Sequence, residues 1–521
     1  MKKDSRPQYK KTQTFPHSGR KEDKKHRHST SEPFHLKSIF IPHKGKKLKT
    51  NRYMFRTSLI IVVLFAALIG YLVKFTLKDS SSVITSSYNK RTSVLSEQTL
   101  RGKILSANGK KLAYSQQESN GDEVRYYPYK NMFAHIVGYA SYGRAGLESV
   151  CNYDLLTSHE HLVKQITNGV SEKKNTGDNI VTTLDTRLQK AAYEALGDYK
   201  GAVVAIEPKT GKVRALVSKP DFDPNELDEI WDEITNDSSS CLVNRATQGL
   251  YPPGSTYKIL TALEYMEENP DTYQNFEYQC EGETIVNSVK IHCYEEEEHG
   301  TVDLKKAFAK SCNTAFVTLG SDFNLKSFSA LNKKCLFNQK IPFDLAVKKS
   351  QFKLTASSDK SELPQTVIGQ GDTLVTPFHN ALIMCSVAND GVLMTPYVID
   401  HIESADETIV KQTNPEKYTT MMKKKDAQKI QKMLRNAVTD GTGYVLDTDL
   451  YTAAGKTGTA ENEQENAHSW FVGYSNIDDP DLVVCVLVEN TGAGSRYAAP
   501  IAKKVFDSYY NNHLNDYRIG D

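Results

Sequence analysis

The sequence predicts an α+β fold, an antiparallel sheet packed with helices, set behind an irregular pedestal and one transmembrane helix. Three observations lead there. Near residue 200 the chain reads as a hairpin, Ala202-Val203-Val204-Ala205-Ile206 and Val213-Arg214-Ala215-Leu216-Val217 around Glu207 to Lys212. Far downstream come two apolar strands, Trp470 to Tyr474 and Leu482 to Val488, followed by a helical stretch from Ala498 to Tyr509. The segments between them carry helical spacing, so strands from both ends of a region of roughly 310 residues must share one sheet with the middle packed on it. At 521 residues the chain exceeds what one core organises, and 39% hydrophobic with 25% charged residues excludes both a polytopic membrane protein and a disordered one.

The elements follow in order. Residues 1–56 hold 17 Lys+Arg against 4 Asp+Glu, whereas the rest of the chain holds 48 against 59. This basic segment reads as a disordered cytoplasmic tail attracted to anionic lipid; a nucleic-acid arm is the weaker reading beside a membrane span. Thr57 to Val73 carries no charge, and at 1.5 Å per residue spans roughly 25 Å, so residues 57–75 are expected to form one retained transmembrane helix. The long basic stretch before it and the absence of an A-x-A site after it speak against a cleaved signal peptide. By the positive-inside rule the tail is cytoplasmic and everything after residue 75 is outside. Residues 77–198 are polar, with short strand-like runs and an Asn108-Gly109 turn, and read as a pedestal or dimerisation-like domain. Residues 199–516 form the main domain.

Chemistry concentrates in three short stretches. Ser255-Thr256-Tyr257-Lys258 follows Pro252-Pro253-Gly254 and opens an apolar pattern, Ile259, Leu260, Leu263 and Met266. Residues three apart on a helix are neighbours, so the Ser255 hydroxyl and Lys258 amine share a face, a nucleophile beside its base. The tetrad alone says little, since Ser-x-x-Lys occurs six times here, Ser-x-Asn three times and Lys-Thr-Gly twice. Context removes the others: Lys209-Thr210-Gly211 is the hairpin turn, Ser106-Ala107-Asn108 is another turn, and Ser18 is on the cytoplasmic side. One ordered set is left: Ser255-x-x-Lys258, Ser311-Cys312-Asn313, and Lys456-Thr457-Gly458-Thr459.

At these residues the chain resembles the class B penicillin-binding proteins, of the penicillin-binding protein A kind, whose signatures are S-x-x-K, S-x-N and K-T-G. Arg101-Gly102-Lys103-Ile104, Gly146-Leu147-Glu148, Thr183-Leu184-Asp185, Asn244-Arg245-Ala246, His299-Gly300, Ile368-Gly369-Gln370-Gly371 and Ala388-Asn389-Asp390-Gly391 extend the likeness over about residues 100–510. The resemblance implies the penicillin-binding-protein and serine β-lactamase-like fold, and acyl transfer on D-Ala-D-Ala stem peptides of peptidoglycan. It assigns Ser255 as nucleophile and Lys258 as base. Ser311 and Asn313 orient Lys258, Lys456 meets the substrate carboxylate and lowers the pKa of Lys258, and Thr457, Gly458 and Thr459 bind substrate. The Ser255 and Thr459 amides form the oxyanion hole. No metal or cofactor is expected; β-lactams are expected as covalent inhibitors, and a SEDS-type membrane glycosyltransferase as partner.

Rival readings differ in identifiable features. The 122 residues of 77–198 are too few for the glycosyltransferase domain of a bifunctional enzyme, and Glu-x-x-Leu-Asn, the water-activating signature of one β-lactamase class, is absent between Ser311 and Lys456. A D,D-carboxypeptidase and a non-enzymatic penicillin-binding sensor or scaffold stay as alternatives. His159-Glu160-His161 lacks further ligands at useful spacing. Of the eight cysteines, Cys280 and Cys293 are the best candidates for a disulfide in an oxidising compartment, Cys312 fills the variable place of S-x-N without a required reaction, and Cys485 belongs to the core.

Overall fold

The computed structural model describes residues 50–75, 91–119, 122–171, 173–462 and 466–518. Most of the basic tail, expected to be disordered, lies outside the described residues. The chain divides into two compact units, Met1–Leu77 and Lys78–Asp521.

In the first unit Thr50–Lys74 is one helix. It starts earlier than expected, and within the added turn the Thr57 hydroxyl donates back to the carbonyls of Tyr53 and Met54. Arg52–Lys74 is long and apolar enough to cross a bilayer, and its apolar stretch is not buried in protein.

The second unit is built on a five-stranded antiparallel sheet. Its strands are β1 (Gly201–Ile206), β2 (Val213–Lys219), β3 (Ala453–Ala460), β4 (His468–Ser475) and β5 (Leu482–Val488), in the order β3-β4-β5-β1-β2. Both faces are covered, which is why β1 and β5 read as unbroken apolar runs. Ala202, Val204, Cys485 and Leu487 pack with the helix Pro377–Ala388, which is buried along its whole length. On the other face Val203, Ala205, Val484 and Val486 pack with Leu188 and Leu196 of the helix Thr186–Leu196 and with Ala502 and Phe506 of the C-terminal helix. The strand that carries Lys456 lies at the sheet edge, so half of its amides are free of the ladder.

The pedestal contains a six-stranded sheet in the order Ile409–Gln412, Ile399–Glu403, Asn179–Thr182, Ile104–Leu105, Lys111–Gln117, Glu123–Tyr126. Two of its strands come from residues 399–412, so this sheet crosses the division expected at residue 198. Beneath it Glu148, fully buried, accepts from Arg101 Nε at 2.6 Å and Arg125 Nε at 2.8 Å. Gly102 is required there, since a Cβ would lie 1.9 Å from the Asp178 carbonyl oxygen.

Candidate active site

Ser255, the expected nucleophile, sits in a 3₁₀ turn, Gly254–Tyr257, that runs into the helix Lys258–Glu268. The chain is steered into it from several sides. Trp470 Nε1 donates to the Pro252 carbonyl at 2.9 Å, the Thr256 hydroxyl to the Pro253 carbonyl at 2.8 Å, and the Gly254 amide to the Gly369 carbonyl at 2.9 Å. In a 3₁₀ turn residues three apart eclipse, which sets Ser255 directly over Lys258. The predicted apolar positions Ile259, Leu260, Leu263 and Met266 are all buried.

Ser311-Cys312-Asn313 links two short helices, Leu304–Ala309 and Asn313–Leu319. Ser311 has φ +59°, a left-handed conformation costly for a residue with a side chain. That twist brings three groups onto one amine. Lys258 Nζ donates to the Ser311 carbonyl at 2.7 Å and to Asn313 Oδ1 at 2.7 Å, with the Ser311 hydroxyl at 3.4 Å. The Asn313 amide is oriented by donating its Nδ2 to the His292 carbonyl at 3.0 Å.

Lys456 enters from the sheet edge, fully buried, its amine donating to the Thr457 carbonyl at 3.0 Å. The Thr457 hydroxyl is hydrogen-bonded to that of Thr442, and the Thr459 hydroxyl accepts from the Gly494 amide at 3.4 Å. Desolvation holds the Lys258 amine down to about 8. Lys456 is pushed well below its ordinary value, first by burial and then by the Lys258 charge. This corrects one expectation: burial, and not Lys456, is what depresses Lys258.

An open groove of 360 Å³ is lined by Ser255, Ser311, Asn313, Thr457, Gly458 and Thr459, with both lysine amines behind its wall. All three motifs therefore meet. The Ser255 hydroxyl faces this groove while Lys258 is engaged with Ser311 and Asn313, an arrangement common before substrate tightens a site. Lys209-Thr210-Gly211 lies in the β1–β2 turn, as expected, with Gly211 at φ +83°. The side chains of His159, Glu160 and His161 go to three different partners, Asp178, Lys164 and Asp406. Cys280 and Cys293 are not disulfide-bonded: all eight cysteines are free, and these two sulfurs are 3.8 Å apart. Thr442, Gly369 and Gln370 belong to the site or its support. Thr442 was missed although flanked by Gly441 and Gly443, a pattern that marks a tightly approached loop.

Residues 201–507 match the family model for the penicillin binding protein transpeptidase domain, and residues 101–180 match that for the penicillin binding protein A dimerisation domain. Peptidoglycan D,D-transpeptidase PbpA of Mycolicibacterium smegmatis is 29% identical over 484 residues, covering 87% of this chain and 98% of the relative. Its counterpart from Mycobacterium tuberculosis is 31% identical over 443 residues, covering 78% and 88%. The structure of M. tuberculosis penicillin-binding protein A as an imipenem acyl-enzyme complex superposes with a TM-score of 0.74 at 30% identity, over 80% of this chain and 99% of that one. With its three motifs converging on one groove and more than half its length matching one family model, the chain belongs to the penicillin-binding protein transpeptidases of class B.

Proposed function

We propose that this chain is a peptidoglycan D,D-transpeptidase that cross-links stem peptides through an acyl-serine intermediate and is acylated by β-lactams. The observation that carries this reading is the hydrogen bonding of Lys258. A neutral amine has two N–H groups and one lone pair. Its two short bonds go to pure acceptors, the Ser311 carbonyl and Asn313 Oδ1, with the Ser311 hydroxyl at 3.4 Å, so the neutral form keeps both N–H groups occupied and its lone pair for a proton.

Ser255 Oγ attacks the carbonyl of the penultimate D-Ala, and its proton passes to Lys258. The Ser255 and Thr459 amides receive the oxyanion. As the C–N bond breaks, Ser311 relays a proton from Lys258 to the departing D-Ala amine, leaving an ester on Ser255. An amine of a second strand attacks that ester, forms the cross-link and returns the serine hydroxyl. Lys456, with the Thr457 and Thr459 hydroxyls, holds the terminal carboxylate. Bound there, the carboxylate supplies an anion that favours the charged form of a lysine whose burial disfavours it.

The basic residues ahead of the apolar helix Thr50–Lys74 form a cytoplasmic tail, the helix is the membrane anchor, and the pedestal, which takes two strands from residues 399–412, lies with the catalytic domain outside a bacterial cell membrane, an orientation supported by the charge asymmetry around the helix. Glycan polymerisation comes from a partner, a SEDS-type membrane glycosyltransferase, because residues 77–198 are too few for a polymerase domain. A fluorescent penicillin should label the purified chain covalently, and the Ser255→Ala variant should stay dark. With a D-Ala-D-Ala stem peptide and an amine acceptor the main product should be the cross-linked dimer; hydrolysed monomer alone would make the chain a carboxypeptidase.

A further inference from the structure

Four side chains outside the three motifs' catalytic set, His299 in the groove's lining and three cysteines behind its wall, converge. The ligand atoms of Cys280, Cys293, His299 and Cys312 all lie within 4.8 Å of one another. Cys280 to Cys293 is 3.8 Å, Cys293 to Cys312 is 3.8 Å, and Cys280 Sγ to His299 Nδ1 is 3.4 Å. A tetrahedral ion with Zn–S ~2.3 Å and Zn–N ~2.0–2.1 Å sets its sulfurs about 3.8 Å apart and sulfur from nitrogen about 3.6 Å apart. We propose that these four residues form a closed, structural Cys3His site for Zn2+ that pins the Ser311-Cys312-Asn313 loop to the arm of chain preceding it.

The surroundings favour this over two plainer readings. Core cysteines pack as small hydrophobes against apolar neighbours. Here the three sulfurs instead face an imidazole and the Thr314 hydroxyl, which lies 3.2 Å from Cys280, 3.3 Å from Cys312 and 3.6 Å from Cys293 and can donate to a thiolate. A disulfide needs one preferred pair, whereas Cys293 is equally far from Cys280 and Cys312. The other nitrogen of His299 has the Glu297 carboxylate 3.7 Å away, within ion-pair range and on the side from which a metal-bound histidine is commonly oriented. Three buried thiolates and one imidazole at the groove wall suit zinc as a structural ion with no open position for catalysis.

The arm needs such a staple. Residues 277–303 form two isolated two-stranded pairs, Glu277–Cys280 with Gly300–Asp303 and Glu283–Val286 with Val289–His292, too small to stand alone. Cys280, Cys293 and His299 end or flank these strands, and Cys312 supplies the fourth ligand from between the two residues that hold Lys258. The His292 carbonyl that orients Asn313 is the neighbour of Cys293. The ion would therefore set the Lys258 cradle from both sides without touching substrate.

Full-length chain purified in detergent should contain about one Zn2+ per chain by elemental analysis. After chelation, Co2+ titration should saturate near one equivalent with thiolate-to-metal charge-transfer bands and intense visible bands of tetrahedral cobalt. Chelation should lower the rate of penicillin acylation by roughly 10- to 100-fold, and Zn2+ should restore it. Cys293→Ser should lose the ion, while His299→Cys should keep it with a cobalt spectrum shifted toward four thiolates. If Cys293→Ser fails to fold, the wild-type cobalt titration still decides. Metal-free chain that acylates normally and takes up no cobalt, or a Cys280–Cys293 disulfide found by mass spectrometry in penicillin-labelled protein, overturns the proposal. An unshifted cobalt spectrum in His299→Cys would do the same.

Discussion

Gly254 is packed directly against the Thr459 carbonyl: a Cβ on the glycine would sit 2.5 Å from that oxygen and 3.1 Å from the next amide nitrogen. The turn bearing the nucleophile thus rests on the backbone of the sheet edge, and the distance between the Ser255 and Thr459 amides depends on a missing side chain. The φ of +52° at Gly254 adds a second reason for glycine.

Gly254→Ala should therefore separate the two amides proposed as the oxyanion hole while leaving the domain folded. Losing one such donor costs ~10² to 10³ in rate, and a similar loss is expected in penicillin acylation. Stopped-flow acylation together with circular dichroism checks this; near-normal acylation of the folded variant would mean that Thr459 is not a partner of Ser255 in the chemistry.

Acylation should rise with pH. Only the neutral amine of Lys258 can accept the serine proton, and burial puts its pKa at about 8. Below that value the second-order acylation rate should climb about tenfold per pH unit and level off above it. A profile flat from pH 6 to 9 would show that another group takes the proton. Lys258→Arg keeps the charge but has no titration in this range, so it should lose acylation at every pH tested.

The catalytic triplet was legible because its chemistry demands fixed local spacing: Ser255 and Lys258 on one turn, Ser311 and Asn313 on one loop, Lys456 in a small-residue strand. The five-stranded sheet was legible for a related reason, since strands buried on both faces, like Leu482–Val488, must be apolar throughout. Ile409–Gln412 was not, because all four of its residues are exposed and nothing in their pattern points to a sheet begun some 300 residues earlier. The cysteine cluster escaped because its ligands are spaced C-x12-C-x5-H-x12-C, without the close pairs that usually announce a metal site, and only the pairing of Cys280 opposite Gly300 brings His299 beside them. The expected disulfide between Cys280 and Cys293 had the right neighbours but counted two ligands where four converge.

Glu148 lies far from the chemistry in the fold and tests whether the pedestal motifs are structural. Burial alone would raise its pKa, but the guanidinium groups of Arg101 and Arg125 outweigh it and leave the carboxyl below its ordinary value. A carboxylate whose folded pKa is depressed contributes stability above its unfolded pKa of about 4.5, and that contribution is lost as pH falls through the folded value. Removing the side chain strands two arginines exposed by only 8% and 10%, and breaking a buried pair in this way costs about 3–5 kcal/mol. Glu148→Ala should therefore lower the melting temperature and urea midpoint at pH 7 by that free energy. The difference from wild type should shrink as pH falls below about 4.5 and on through the lower native value, where the native carboxylate also becomes protonated. Per folded molecule, penicillin acylation should be unchanged. A variant that keeps its stability but loses acylation would show that the Arg101, Glu148 and Arg125 cluster governs the distant groove, and not the fold of the pedestal alone.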